Sequence, residues 1–77
     1  MKVTLYTRPA CGLCRGAEEL LARLGKEIPF DLEIVDIDKN SSAHDEYWER
    51  IPVVTFNGVE VAAGLIDGGQ LRDALTA

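Results

Sequence analysis

The sequence predicts a small α/β domain with the element order β-α-β-α-β-β-α, in which helices flank a mixed four-stranded sheet. Three observations predict this fold class. A short alternating segment precedes apolar residues at helical spacing, a second apolar run follows a proline, and an Asn-Gly pair separates two further short apolar runs. These elements account for essentially all of the 77 residues, so we expect one domain over residues 1–77.

The first half of the chain reads as a strand, a helix and a second strand. Residues Lys2–Tyr6 alternate β-branched or aromatic side chains with others, as strands do. Apolar residues then recur at spacings of four, three, one and three positions, which places them on one helical face: Leu13, Ala17, Leu20, Leu21 and Leu24. Gly25 is predicted to end this helix in a left-handed C-terminal cap. Phe30–Ile37 is predicted to be a second, largely buried strand because of its apolar content.

A short helix and a hairpin are predicted next. The segment Asn40–Ser42 is a helix-start signal, and Asp45 completes a weak capping box three residues after Ser42. The pair Asn57-Gly58 lies between the strand-like runs Val53–Phe56 and Val59–Ala62. Because both positions of a type I′ turn require positive φ, which Asn and Gly tolerate best, we predict a two-residue β-hairpin.

The chain closes with a predicted third helix. Gly64 is expected to end the hairpin, and the side chain of Asp67 can cap the N-terminus of the helix that follows. Leu71 and Leu75 are four residues apart, which places them together on the inner face of that helix.

Charge and hydropathy exclude two classes of partner. The net charge is −5, from 8 basic and 13 acidic residues, and an acidic chain repels the phosphate backbone of nucleic acids. No stretch approaches the ~18 apolar residues of a membrane helix. Arg8 comes too early for the apolar core of a secretory signal. We therefore predict a cytoplasmic protein that binds neither nucleic acid nor membrane.

The two cysteines lie in the one positively charged part of the chain. Residues 1–17 hold Lys2, Arg8 and Arg15 and no acidic residue. The motif Cys11-Gly12-Leu13-Cys14 falls at the predicted junction of the first strand and first helix.

Three interpretations of this motif compete. A structural disulfide is disfavoured, because so short a loop constrains the unfolded chain little and structural disulfides are rare in the cytosol. A zinc site needs four ligands, whereas the chain offers Cys11, Cys14 and a single histidine, His44. No metal site within one chain is therefore expected, although a site shared between two chains stays open. A redox-active dithiol is favoured, because C-x-x-C in a cytosolic βαβ context is typical of one.

The position of the motif assigns a different role to each thiol. Cys11 falls at the helix start, where unpaired N–H groups and the helix dipole favour an anion, and Arg8 and Arg15 add positive charge. We expect Cys11 to ionise at lower pH than an ordinary thiol and to be the attacking nucleophile. Cys14, one helical turn later, is the predicted resolving thiol.

The chain resembles the glutaredoxin family within the thioredoxin-like fold, and in particular its small bacterial glutaredoxin-like members. Three motifs carry the resemblance: TRPACGLC at residues 7–14, RIPV at 50–53 and GLID at 64–67. The resemblance implies a cis Pro52 beside the cysteine pair and free backbone groups at Ile51 that pair with an extended thiol substrate. It also implies that Arg8 helps to bind a carboxylate of glutathione, and that the carboxylate of Asp67 and the backbone before it hold the tripeptide.

One departure from the family pattern concerns glutathione. Family members carry a second glycine beside Gly64, where this chain has Leu65 and then Ile66. Side chains at these positions crowd the approach of glutathione to the backbone. We therefore expect weak non-covalent binding of glutathione, with protein disulfides as the better substrates.

The predicted function is that of a dithiol thiol–disulfide oxidoreductase acting on disulfide-containing proteins or glutathione. It needs no tightly bound cofactor, and glutathione or a thioredoxin reductase restores the dithiol. We expect it to be a monomer. One alternative is an iron–sulfur or zinc binding module that uses Cys11 at a dimer interface. Another is a partner-binding domain in which the thiol pair is idle.

Overall fold

The computed structural model describes residues 1–76 and has the predicted element order. The strands are β1 (Lys2–Thr7), β2 (Asp31–Asp36), β3 (Val53–Phe56) and β4 (Val59–Ala63), and the helices are α1 (Gly12–Leu24), α2 (Ser41–Tyr47) and α3 (Gly68–Thr76). A 3₁₀ turn at Ile37–Lys39 connects β2 to α2. No helix in the described part of the chain is long and apolar enough to cross a membrane.

The four strands form one mixed sheet in the order β2-β1-β3-β4. Strand β1 is parallel to β2 and antiparallel to β3, and β3 is antiparallel to β4. The register sets Thr7 opposite Asp36, Tyr6 opposite Val53, and Val53 opposite Ala63. The segments that follow β1, β2 and β4 and the segment that precedes β3 therefore all lie at one end of the sheet.

The main core lies between one face of the sheet and helices α1 and α3. Its completely buried members are Val3, Leu5, Leu21, Val54 and Leu71. Because neighbouring residues of a strand point to opposite faces, Tyr6 lies on the other face of the sheet. There its ring packs against that of Tyr47 at the end of α2, with 4.3 Å between the ring centroids.

The predicted hairpin and two predicted features of the third helix are confirmed. Asn57 and Gly58 have φ values of 50° and 87°, as a type I′ hairpin requires. The Asp67 carboxylate accepts a hydrogen bond of 3.0 Å from a backbone N–H in the first turn of α3. Both apolar residues predicted for the inner face of that helix, Leu71 and Leu75, are buried.

Strand β2 is not the buried strand that its apolar content predicts. It pairs with β1 alone and so forms an edge of the sheet, and Leu32 and Ile34 are exposed. The central positions are taken by β1 and β3, each of which pairs on both sides. An apolar run does not by itself show how many strands will pair with it, so this prediction was wrong.

Two helix ends also differ from their predictions. Gly25 has a φ of −62°, because the chain continues in right-handed turns after α1 and forms no left-handed cap. Helix α2 is capped by Asn40, whose Oδ1 accepts a hydrogen bond of 3.0 Å from the Ala43 N–H. The cap therefore lies two residues before the predicted capping box of Ser42 and Asp45.

Candidate active site

Cys11 is the N-terminal cap of α1. Its backbone is extended, with φ −103° and ψ 110°, and its carbonyl accepts the first helical hydrogen bond, 3.1 Å from the Arg15 nitrogen. Its Sγ accepts a hydrogen bond of 3.2 Å from the backbone N–H of Cys14. The sulfur therefore occupies the place where a helix start offers unpaired N–H groups to an acceptor, as the sequence predicts.

The two cysteines form an intrachain disulfide, with 5.2 Å between their Cα atoms. Cys14 faces the core side of α1 and is only 2% exposed, whereas Cys11 is half-buried at the end of the helix. Cys11 is therefore the more accessible residue of the pair to a thiol or disulfide that approaches from solvent. This difference in access matches the roles predicted for the two thiols.

A left-handed residue turns the chain from β1 into the site. Ala10 has a φ of 61°, a conformation that costs a non-glycine residue roughly 1–2 kcal/mol. Strand β1 ends at Thr7, and residues 8–10 separate it from Cys11, the N-terminal cap of α1. Local backbone strain is thus located immediately before the nucleophile, where functional sites commonly hold it.

Both arginines of the positive segment lie at the site, but in different surroundings. The Arg8 Nη2 donates to Asp38 Oδ1 at 2.9 Å, so this cation is partly neutralised by the segment that follows β2. Arg15 lines a polar pocket of about 180 Å³ together with both cysteines. Within residues 1–76, no carboxylate lies within 4.0 Å of the Arg15 guanidinium, so its charge is available to a thiolate.

Two carboxylates at the site, Asp38 and Glu18, were not predicted from the sequence. Asp38 reaches Arg8, which lies thirty positions earlier in the chain, because Thr7 and Asp36 are opposite each other in the sheet. Glu18 lines the same pocket as the cysteines. Its signal is present in the sequence, since it follows Cys14 by four residues on one helix face.

Residues 50–52, which precede β3 and are called the proline loop below, lie at the same end of the sheet as Cys11. The Ile51–Pro52 peptide bond is cis, as the family resemblance implies, and Pro52 is buried. The Gly64 N–H donates to the carbonyls of both Pro52, at 2.8 Å, and Arg50, at 3.2 Å. Among the described residues, no backbone hydrogen bond uses the N–H or carbonyl of Ile51.

A stack of side chains behind this loop was not predicted from the sequence. The Arg50 guanidinium lies 5.4 Å from the ring centre of Tyr47, and its Nη1 donates to Glu60 Oε1 at 2.7 Å. Tyr47 packs in turn on Tyr6. Burial, and to a lesser extent the neighbouring Tyr6, raises the pKa of the Tyr47 phenol above its ordinary value of 10.0. The Tyr47 phenol is therefore neutral at physiological pH. Through its contacts with Tyr47 and Glu60, Arg50 connects the proline loop to α2 and β4.

Asp67 lies in the loop from β4 to α3 at this end of the sheet, but its carboxylate caps its own helix. Leu65, two residues earlier, is 85% exposed. The structure thus places Arg8, Ile51, Pro52 and Asp67 around one end of the sheet, with the charged groups of Arg8 and Asp67 already engaged within the chain.

In the reduced protein we expect iodoacetamide to alkylate Cys11 at least ~10-fold faster than Cys14 at neutral pH, because Cys11 is at the helix start and Cys14 is buried. Alkylation rates of the Cys14→Ser and Cys11→Ser variants, followed by mass spectrometry, measure the two thiols separately. A faster reaction at Cys14 would reverse the roles assigned here.

Three comparisons with known proteins agree with this geometry. A family model described as a glutaredoxin-like domain (DUF836) matches residues 2–76. An uncharacterized protein of Mycobacterium tuberculosis is 34% identical over 76 residues, an alignment that covers 92% of this chain and 78% of that protein.

Solved structures show the same fold. A structural genomics target protein from X. campestris superposes with a TM-score of 0.80 at 32% identity, covering 96% of this chain and 95% of that one. The thioredoxin of Fasciola hepatica superposes with a TM-score of 0.69 at 29% identity, covering 97% of this chain and 77% of that one. The predicted thioredoxin-like α/β fold is therefore confirmed.

Proposed function

This chain belongs to the glutaredoxin-like domain family, and we propose that it is a dithiol thiol–disulfide oxidoreductase that reduces disulfides of other proteins. The fold and the adjacent cysteines support a redox role in general. The observation that carries the specific proposal is the placement of the Cys11 sulfur at the start of α1, bonded to a buried partner, Cys14. A reducing cytoplasm is the setting in which such a pair returns to the dithiol.

The reaction proceeds through two exchanges. The Cys11 thiolate attacks one sulfur of the substrate disulfide, a new S–S bond forms to Cys11, and the other substrate sulfur leaves as a thiolate that takes a proton from solvent. Cys14 then loses its proton to solvent and attacks the Cys11 sulfur. The intrachain disulfide forms and the second substrate thiol is released, so two electrons pass from the dithiol to the substrate.

The proline loop supplies the substrate-binding element of this proposal. Since the N–H and carbonyl of Ile51 are not used by the described chain, an extended substrate segment can pair with them as an added strand. Pro52 itself has no N–H to donate, and its burial anchors the loop at the start of β3.

Glutathione is proposed as a reductant and not as a tightly held ligand. The two side chains expected to bind glutathione are engaged within the chain, Arg8 with Asp38 and Asp67 with the first turn of α3. The exposed side chain of Leu65 also occupies the surface where family members present glycine. Protein disulfides, which offer more contacts, are therefore the preferred substrates.

The choice of reductant tests the function. The oxidised protein is offered glutathione and, separately, a thioredoxin reductase with NADPH, and the rate at which the Cys11–Cys14 disulfide disappears is followed. We expect at least one system to reduce it and the resulting dithiol to reduce a small symmetrical disulfide in turn. If neither reductant opens the disulfide, or the dithiol reduces nothing, the proposed function is wrong.

Affinity for glutathione has its own expected value. In Cys11→Ser, where no covalent adduct forms at the nucleophile, calorimetric titration should give a dissociation constant of about 1 mM or weaker. Losing even two charge-assisted hydrogen bonds of ~1.5–3 kcal/mol each reduces affinity by two orders of magnitude or more. A low-micromolar constant would show that the groups around Arg8 and Asp67 rearrange to hold the tripeptide.

A further inference from the structure

A groove of about 310 Å³ opens from the cysteine motif on the side of α1 away from the polar pocket. It lies between α1 and the loop at residues 64–68 that leads into α3. The groove begins at the two residues inside the disulfide loop, Gly12 and Leu13, and extends along one face of α1 to Arg23. From Gly12 to Arg23 the helix rises about 16 Å.

The walls of the groove near the disulfide are apolar and accessible. Leu13 on one side is 52% exposed, and Leu65 on the other is 85% exposed. Between them, Gly12 and Gly16 leave the helix surface bare, because apart from chain neighbours and the backbone of α1 no atom lies within 4 Å of where a Cβ of either residue would be. Large exposed apolar side chains beside an open groove are typical of a surface that an apolar residue of a partner covers.

The far end of the groove is positively charged. Within residues 1–76, no carboxylate lies within 4.0 Å of the Arg23 guanidinium. Four other basic residues are each paired with a carboxylate: Lys2 with Glu33, Arg8 with Asp38, Arg50 with Glu60, and Arg72 with Glu27. In a chain of net charge −5, an unpaired cation at the end of an apolar groove complements a carboxylate supplied by a partner.

We propose that this groove selects protein substrates by the sequence beside their reactive cysteine. The occupant is an extended segment with an apolar residue next to that cysteine, against Leu13 and Leu65, and an Asp or Glu about five residues away that meets Arg23. Five residues follow from the 16 Å length, since an extended chain advances about 3.3 Å per residue. The inference rests on the proposed function and adds the substrate class to it. Glutathione, with three residues, is too short to reach Arg23.

Synthetic peptides test the proposal. Each peptide carries one cysteine as a mixed disulfide with thionitrobenzoate, whose release on attack by Cys11 is followed by absorbance. One series has Leu beside the cysteine and Glu five residues away, on either side of it, and a matched series has Lys in place of Glu. The groove should accept the peptide in one chain direction, so Glu should matter on one side of the cysteine only. On that side, at low salt, we expect the reduced protein to react about three- to fivefold faster with the Glu peptide than with the matched Lys peptide, the range of one partly exposed ion pair. This preference should fade at high salt.

A charge reversal provides the decisive comparison. Arg23→Glu should invert the preference, so that the Lys peptide reacts faster. Lys26→Glu is the matched control, because it makes the same change of charge three residues later, outside the groove lining, and should keep the preference for Glu. Thermal unfolding of each variant confirms that it is folded.

The outcomes separate the two proposals. If Glu and Lys peptides react alike, or if Arg23→Glu and Lys26→Glu change the preference equally, the groove does not select substrates and this inference is overturned while the oxidoreductase function stands. If no peptide releases thionitrobenzoate, the proposed function fails and the inference fails with it.

Discussion

Replacing Cys11 by Ser is expected to lower the rate of disulfide reduction by at least about 1,000-fold, to the level of uncatalysed exchange. The hydroxyl of serine is neutral at physiological pH and is a far weaker nucleophile than a thiolate, so the first exchange does not begin. Cys11 is also the more exposed residue of the pair, so its replacement removes the thiol that a substrate meets first. The rate is measured with a small symmetrical disulfide and a coupled reductant.

Cys14→Ser is the matched variant, because it changes the same atom one helical turn later. The first exchange should survive in this variant, and the protein should accumulate as a mixed disulfide between Cys11 and the substrate, visible as a mass increase. Turnover then depends on an external thiol to release the product. If Cys11→Ser retains turnover, or if Cys14→Ser forms no mixed disulfide with the substrate, the proposed mechanism is wrong.

Leu21→Ala is expected to lower the free energy of unfolding by about 2–5 kcal/mol. Leu21 is completely buried, on the face of α1 that packs against the sheet and α3, and its truncation leaves a cavity in the main core. A domain of this size buries only about 60% of its unfolded surface, so the loss is a large part of the total stability. At ~4–8 °C per kcal/mol, the melting temperature should fall by about 8 °C or more. Urea and thermal unfolding of the oxidised protein measure the change.

Leu65→Ala is the control for this prediction, because it makes the same truncation at a side chain that is 85% exposed. Its effect on unfolding should be within about 0.5 kcal/mol. Equal destabilisation by the two substitutions would show that the core does not lie where the structure places it.

Features whose physical cause lies within a few residues could be predicted from the sequence. The hairpin follows from the positive φ that Asn57 and Gly58 tolerate, and the start of α3 follows from the carboxylate of Asp67. The position of Cys11 at the cap of α1 follows from the change between strand-like alternation, which ends at Tyr6, and helical spacing of apolar residues, which begins at Leu13. Each of these signals is complete in a short segment, so no knowledge of the rest of the chain is needed to interpret it.

Helix ends were less determined by local signals. Gly25 has the residue type of a left-handed cap but takes a right-handed turn. Asn40, Ser41 and Ser42 all have side chains suited to capping, and the structure uses the first. Several residues can satisfy the same free N–H groups at similar free energy, and the packing of the helix against its neighbours selects among them.

Tertiary structure alone decided which distant residues meet at the site. Strand β2 lies at an edge because β1 pairs with it on one side and no strand pairs with it on the other. The apolar pattern of β2 does not show how many strands will pair with it. The same pairing brings Asp38 to Arg8, and the return of β4 brings the loop at 64–68 beside α1 to form the groove that ends at Arg23. These contacts join residues thirty to fifty positions apart. Their free energy depends on the order of strands and the docking of helices, which no single segment of the sequence specifies.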